Sequence, residues 1–265
     1  MDSVDDRVAV ITGGGSGIGR ATALSLARRG GHVVIADIDR DRASAVASEV
    51  EALGGRSLGL QCDVTDLASV EAAREACVSE FGRADIVMSN VGIIAKGLPM
   101  DIPLDAWEQV IDVNLLGMVR VVRTFLSTLL EQGSGHLVTT GSSSGLFPAS
   151  YDRLPYSATK GAVVAMTEAL ALYLRPLGIG VSCLCPSGVM TNIVEQIREY
   201  GPPTPVQAPR VPVVTADEFG ELVVEGILAD RFLILSHPDA ADLVRQHGAD
   251  FDAFIEQQLV LGLST

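Results

Sequence analysis

A short apolar run, Val8-Ala9-Val10-Ile11, passes directly into Thr12-Gly13-Gly14-Gly15-Ser16-Gly17-Ile18-Gly19. The residues that follow, Arg20 to Arg29, carry Ala21, Leu24, Leu26 and Ala27 at helical spacing. A buried strand that enters a glycine turn and opens into a helix is a narrow structural instruction. The turn removes side chains where backbone N–H groups at a helix N-terminus can meet a diphosphate. Gly13, Gly17 and Gly19 give the spacing Gly-x-x-x-Gly-x-Gly, which differs from the Gly-x-Gly-x-x-Gly of many dinucleotide-binding turns. A flexible turn or a plain helix cap is the bland alternative, and the strand–turn–helix context argues against it.

A second strand, His32 to Ala36, ends in Asp37, 18 residues after Gly19. That is close to the roughly 20-residue offset of a carboxylate that binds the adenosine ribose. Such a group accepts hydrogen bonds from ribose hydroxyls and repels the extra phosphate of NADP, so Asp37 favours NAD. Arg40 and Arg42 are the features that would suit NADP instead. Strand patterns recur at 8–11, 32–36, 57–61, 85–89, 135–140, 178–184 and 232–235. Helical patterns lie between them at 17–29, 40–53, 67–81, 103–131, 156–174 and 216–228. This alternation predicts an α/β fold: a Rossmann-type, doubly wound parallel sheet of about seven strands with helices on both faces. One domain, 1–265, is expected. Prolines 202, 203, 205, 209 and 212 interrupt the pattern in 192–215, where a substrate lid would belong. A C-terminal helical tail is expected at 239–263.

Apolar residues make up 48% of the 265-residue chain, as suits a sheet covered on both faces. The net charge of −14 disfavours nucleic acid as a partner, since that needs clustered Lys and Arg. No run reaches the roughly 18 apolar residues of a membrane span, and the first residues lack a signal-peptide pattern. The four cysteines, Cys62, Cys77, Cys183 and Cys185, read as buried packing residues in a reducing cytoplasm, with Cys183 and Cys185 on one strand face. The four histidines show no ligand spacing and read as surface or strand-end residues, so no metal is expected. The long apolar helices at 104–130 and 156–174 carry more apolar surface than one sheet contact needs, which suggests a homo-oligomer, a tetramer or dimer.

Tyr156 and Lys160 stand four residues apart in Tyr156-Ser157-Ala158-Thr159-Lys160, on one face if the run is helical. A free tyrosine, with a pKa of about 10, is a poor base at neutral pH. A nearby ammonium favours the phenolate, and a tyrosine tuned in this way can exchange a proton with an alcohol or ketone oxygen. A Tyr–Lys pair on a solvated helix face is the bland alternative.

With these segments in this order, the chain resembles a short-chain dehydrogenase/reductase of the single-domain type over roughly residues 7–195. Thr12 to Gly19 matches the family's Thr-Gly-x-x-x-Gly-x-Gly turn. Asp63-Val64 matches the pair that flanks adenine. Asn90-Val91-Gly92 resembles Asn-Ala-Gly, with Val91 in place of Ala. Asn114 matches the helix asparagine of the catalytic tetrad. Ser142, in Gly141-Ser142-Ser143-Ser144-Gly145, matches the catalytic serine. Pro186 to Thr191 resembles the segment that contacts nicotinamide, with Ser187 between the expected Pro and Gly. Ser142 lies 14 residues before Tyr156, one more than the family pattern, and Ser143 is the alternative.

The resemblance implies that Gly13, Ser16, Gly17, Ile18, Gly19, Asp37, Ile38, Asp63 and Val64 hold the adenosine half of NAD. Asn90, Gly92, Pro186, Val189 and Thr191 would hold the nicotinamide half, with Tyr156 and Lys160 also touching the cofactor. The implied reaction interconverts a secondary alcohol and a ketone, with Tyr156 as general acid/base and Ser142 positioning the substrate oxygen. Lys160 would lower the tyrosine pKa and bond the ribose, and Asn114 would hold a water linking Lys160 to solvent. A core or helix-kink role is the alternative for Asn114. Ile93, Ile94, Leu98, Leu146, Phe147, Met190 and Ile193 suggest a hydrophobic terpenoid, steroid or aryl substrate, while Lys96, Asp152 and Arg153 could face a polar group. An NADP-preferring carbonyl reductase, a non-catalytic dinucleotide-sensing protein and a methyltransferase are the competing readings.

Overall fold

In the computed structural model, which describes residues 1–148, 150–204 and 211–263, the first strand, β1 (Val8–Thr12), is buried along its whole length. Strands β2 (His32–Asp37), β3 (Ser57–Gln61) and β4 (Ile86–Ser89) follow, each after one helix: α1 (Gly17–Ala27), α2 (Arg40–Ala52) and α3 (Leu67–Phe81). A three-residue strand, β5 (Ile94–Lys96), precedes α4 (Leu104–Ile111) and α5 (Gly117–Gln132). Then come β6 (Gly135–Thr140), α6 (Leu154–Leu174), β7 (Ile179–Cys185), the short strands β8 (Val189–Met190), β9 (Ile197–Glu199) and β10 (Val214–Thr215), α7 (Ala216–Leu228), β11 (Leu233–Leu235), α8 (Asp239–Ala249) and α9 (Phe251–Leu263).

Seven strands form one parallel sheet in the order β11-β7-β6-β4-β1-β2-β3. β1 pairs with β2 on one side and β4 on the other, so the chain reverses its direction of travel across the sheet there. In an open α/β sheet that reversal leaves a crevice at the carboxyl ends of the strands, where ligands bind. One core, with Ile11, Ile35 and Phe219, lies under α1, α2 and α7. The other, with Val10, Val121, Phe125 and Val163, lies under α3, α5 and α6. The expected doubly wound sheet is therefore present.

Four local features differ from the expectations. The 103–131 helix is a single path from Leu104 to Gln132, but residues Asp112–Leu116 widen into a π-turn between α4 and α5. This helix is long and apolar enough to be considered as a membrane span, yet its Met118, Val121, Val122, Phe125 and Leu129 are buried in the sheet core. The 239–263 tail is two helices broken at Asp250, whose carboxylate accepts from the Ala253 N–H at 3.0 Å. His136 is buried in β6, its Nε2 2.8 Å from Ser182 Oγ, and burial lowers its pKa to about 4. Within 192–215, β9 pairs with β5 and β10 with β8; Pro205 and Pro209 lie outside the described residues. Cys183 and Cys185 do share a face of β7, their Sγ atoms 3.8 Å apart.

Candidate active site

The glycine turn adopts the backbone that glycine alone takes easily: Gly13 has φ +63° and Gly17 φ +51°. α1 starts at Gly17, and its N-cap, Ser16, makes no side-chain cap hydrogen bond. The first-turn N–H groups of α1 are therefore not capped by that side chain, and the positive end of the helix dipole faces the crevice. Asn90, just past β4, donates from Nδ2 to the Gly13 carbonyl at 3.2 Å and accepts from Thr140 Oγ1 at 3.0 Å. It ties the glycine turn to the end of β6.

Asp37, at the end of β2, is 9% exposed. Its two oxygens accept from the N–H groups of Gly15 (2.9 Å) and Asp39 (3.1 Å). A carboxylate has about four acceptor positions, so these bonds orient it and leave capacity for a diol. A side chain at Gly15 would place its Cβ 2.8 Å from Asp37 Oδ2. Arg42, the nearby cation, is paired with Asp39 at 3.4 Å and with Glu195 at 3.3 Å.

The π-turn brings Asn114 inward, where it is 1% exposed. Its Oδ1 accepts from Ile93 N at 2.8 Å, and its Nδ2 donates to Ile93 O at 3.0 Å and to Thr159 Oγ1 at 3.2 Å. Thr159 Oγ1 in turn donates to the Tyr156 carbonyl at 2.9 Å. Asn114 thus clamps the segment after β4 to the first turns of α6.

Tyr156 and Lys160 lie one turn apart on α6, Lys160 Nζ 5.7 Å from the phenol ring centroid. Lys160 is 3% exposed and donates to the Thr140 carbonyl at 2.7 Å. Burial lowers its pKa to about 8. An ammonium has three donors, and among the described residues this is its one acceptor. Burial pushes the Tyr156 phenol above its ordinary pKa, opposed by a hydrogen bond with Ser142 and by the charge of Arg153. The expected lowering of the phenol pKa is not what the chain alone produces, because burial outweighs the Ser142 hydrogen bond and the Arg153 charge. Ser142 is 5% exposed, accepts from Ser144 N at 3.1 Å and is the serine whose hydroxyl meets the phenol. Ser143 is held through its own N–H by the Pro186 carbonyl at 3.0 Å.

One cavity of about 840 Å³ runs over the glycine turn, Asp37, Ser142, Tyr156 and Lys160. Of the residues singled out from the sequence as site candidates, Gly13, Ser16, Gly17, Ile18, Asp37, Ile38, Asp63, Val64, Asn90, Gly92, Ser142, Tyr156, Lys160, Pro186, Val189 and Thr191 line it. Gly19 and Asn114 stand behind the surface. Ile93, Ile94, Phe147, Arg153 and Ile193 line it too, whereas Leu98, Leu146 and Met190 do not. Gln109, Ser150 and Arg198 also face it and were not anticipated. The hydroxyl of Ser187, another lining residue, is buried without a hydrogen-bond partner among the described residues. The uncapped helix start, the oriented carboxylate, the lone buried ammonium and this orphaned hydroxyl form a donor and acceptor set that fits a dinucleotide.

The short chain dehydrogenase family pattern matches residues 7–201. The chain is 36% identical over 247 residues to the 1-deoxy-11-beta-hydroxypentalenate dehydrogenase of Streptomyces exfoliatus, covering 92% of this chain and 88% of that one. It is also 36% identical over 199 residues to a probable oxidoreductase, EphD, of Mycobacterium tuberculosis, a longer protein of which the match spans 34%. Among solved structures, a short chain dehydrogenase/reductase from Burkholderia phymatum in complex with NAD superposes with a TM-score of 0.86 at 33% identity, covering 96% of both chains. This chain belongs to the short-chain dehydrogenase family.

Proposed function

We propose that the protein is an NAD-dependent dehydrogenase that interconverts a secondary alcohol and a ketone. The observation that carries this reading is the placement of Tyr156, Ser142 and Lys160 in the same cavity as the glycine turn and Asp37. Gly13, Ser16, Gly17 and Ile18 receive the diphosphate, and Asp37 takes the adenosine ribose, with Ile38, Asp63 and Val64 around the adenine. Gly19, packed behind the turn, keeps its backbone tight. Lys160 offers its remaining donors to the second ribose, and Asn90, Gly92, Pro186, Val189 and Thr191 hold the reacting end. A bound nicotinamide supplies hydride exchange with carbon; the protein supplies position and proton transfer. Tyr156 exchanges the proton with the substrate oxygen, and Ser142 holds that oxygen against the phenol. Asn114 holds the floor of the site and, as the family resemblance implies, would hold a water that lets protons reach solvent.

NAD is favoured over NADP because Asp37 stands where an extra phosphate would come, and Arg42 is already paired with two carboxylates. Ile93, Ile94, Phe147, Ile193 and Val211 give the substrate half an apolar wall, which supports a hydrophobic, ring-containing alcohol; the Streptomyces relative is named for a hydroxylated substrate. Ile193, Gln196, Arg198 and Val211, from the described parts of 192–215, line that half, which supports a cover there. Leu172 and Tyr173, 82% and 56% exposed on α6, support association of like chains. The test is a panel of cyclic secondary alcohols with NAD or NADP, read by absorbance of the reduced nicotinamide. At least one should be oxidised with NAD by the wild type, and Tyr156→Phe should abolish that while NAD still binds. Near-normal turnover by Tyr156→Phe would refute the role given to the phenol.

A further inference from the structure

The carboxylates around the cavity are confined to one end, where Arg42 is the accompanying cation. The cavity's three lining carboxylates, Asp37, Asp39 and Asp63, stand at or just after the ends of β2 and β3, at the adenosine end. The lining residues of the other half, from Ile93 through Arg198, include cations and no carboxylate. In a chain of net charge −14, cations gathered there need a reason.

Two of those cations keep donors to spare. Arg198 on β9 donates from Nη1 to the Gln109 side-chain oxygen at 2.8 Å, a neutral partner, and forms no ion pair among the described residues. Arg153 donates from Nε to Asp152 at 3.1 Å, and no partner among the described residues takes its two terminal nitrogens. The nearby carboxylates are already engaged. Asp152 is 1% exposed and is bonded by Thr204 (2.7 Å), Ser150 and Arg153. Glu199 is paired with Lys96 at 3.0 Å, and Glu195 with Arg42.

Both arginines line the cavity, and their segments are joined through β5. Arg198 sits opposite Ala95 in the β5–β9 pair. Two residues on from Ala95, the Gly97 N–H bonds the carbonyl of Asp152, the neighbour of Arg153, at 2.7 Å. The result is a part of the cavity with apolar walls, two guanidinium groups and the Ser142–Tyr156 pair. Guanidinium recognises carboxylate through paired N–H donors in a planar fork.

We propose that the substrate of this site is a cyclic alcohol or ketone that also carries a carboxylate, held by Arg153 and Arg198 while its hydroxyl-bearing carbon faces Tyr156. The proposal rests on the dehydrogenase reading for the reacting carbon, but the anion site can be tested without turnover. The charge of Arg153 already reaches the Tyr156 phenol and opposes its rise. A bound carboxylate that neutralises Arg153 would weaken that influence, so substrate charge and phenol acidity are linked.

The experiment measures binding by calorimetry, with and without saturating NAD, to the full-length wild type, Arg153→Gln, Arg198→Gln and a remote control, Arg56→Gln. The probes are benzoate, cyclohexanecarboxylate and adamantane-1-carboxylate, each beside its own carboxamide. At least one carboxylate should bind the wild type and the control about tenfold or more tightly than its amide, and that preference should fall in Arg153→Gln and Arg198→Gln. Equal binding of all acids and amides to the wild type, or a preference that survives in both arginine variants, would overturn the proposal. A wild type that shows no acid-over-amide preference but oxidises an alcohol with NAD counts against the anion site alone. An intact preference with no NAD-dependent oxidation of any alcohol counts against the dehydrogenase reading alone.

Discussion

Gly145 and Lys160 meet backbone to backbone: a Cβ on Gly145 would lie 2.5 Å from the carbonyl carbon and oxygen of Lys160. That contact seats the Ser143–Gly145 turn on α6, and Ser142 caps the same turn. The distance between the serine hydroxyl and the phenol is therefore set by the absence of one methyl group on the loop. Gly145→Ala should lift the turn away from α6 and lower turnover on the order of 10²-fold, as small misplacements of reacting groups do. Cofactor affinity, which we assign to the glycine turn after β1, should change little. Steady-state kinetics beside a nucleotide titration checks this, and unchanged turnover would mean that the loop yields without moving Ser142.

Lys160 makes a pH signature in stability. Its pKa is about 8 in the folded chain against about 10.4 when unfolded. Below pH 8 both states hold the proton and the folded state bears the full cost of a buried charge. Between about 8 and 10.4 the unfolded state binds more protons, so this group's contribution to stability rises with pH. Lys160→Met removes the effect. The stability of the variant relative to wild type should fall by about 3 kcal/mol across that window, as read from urea unfolding at pH 7 and pH 10.5. A difference that stays flat with pH would show that the ammonium is not desolvated.

Asn114 should matter to the fold as well as to the site. Its side chain makes three hydrogen bonds, to both backbone groups of Ile93 and to Thr159. Asn114→Ala should cost about 1–3 kcal/mol, seen as a lower urea midpoint with an unchanged slope. A midpoint equal to wild type would make the clamp a bystander.

The parts of this molecule that could be read in advance are the parts encoded locally. The glycine turn, the strand–helix alternation and the Tyr156–Lys160 spacing depend on residues close in sequence, whereas the order of the strands was not among the expectations. The π-turn was hidden because a local widening leaves the apolar pattern of 103–131 unbroken; Asn114 in an apolar stretch was its one visible sign. The break at Asp250 had a signal, an Asp directly before the apolar Phe251, which is a common helix start. β5, β8, β9 and β10 have only two or three residues each and form by pairing across long stretches of chain, so no periodicity announces them. Arg198 and Gln109 reach the cavity only through that pairing and through α4, which explains why neither stood out.

Asp37 can be tested together with the glycine that holds it. The carboxylate is oriented by the Gly15 N–H, and Gly15 leaves no space for a Cβ beside it. Asp37→Ala removes the carboxylate that we propose accepts the ribose diol and opposes a phosphate. NAD affinity should fall roughly tenfold, and the preference for NAD over NADP should narrow because Arg42 remains nearby. Gly15→Ala keeps the charge but displaces it, so NAD affinity should fall while NADP gains nothing. Fluorescence titration of both nucleotides against the two variants separates these outcomes. If Asp37→Ala leaves the NAD-to-NADP ratio unchanged, the acid serves only to brace the turn, and discrimination must come from Asp39 and Glu195, whose charges hold Arg42.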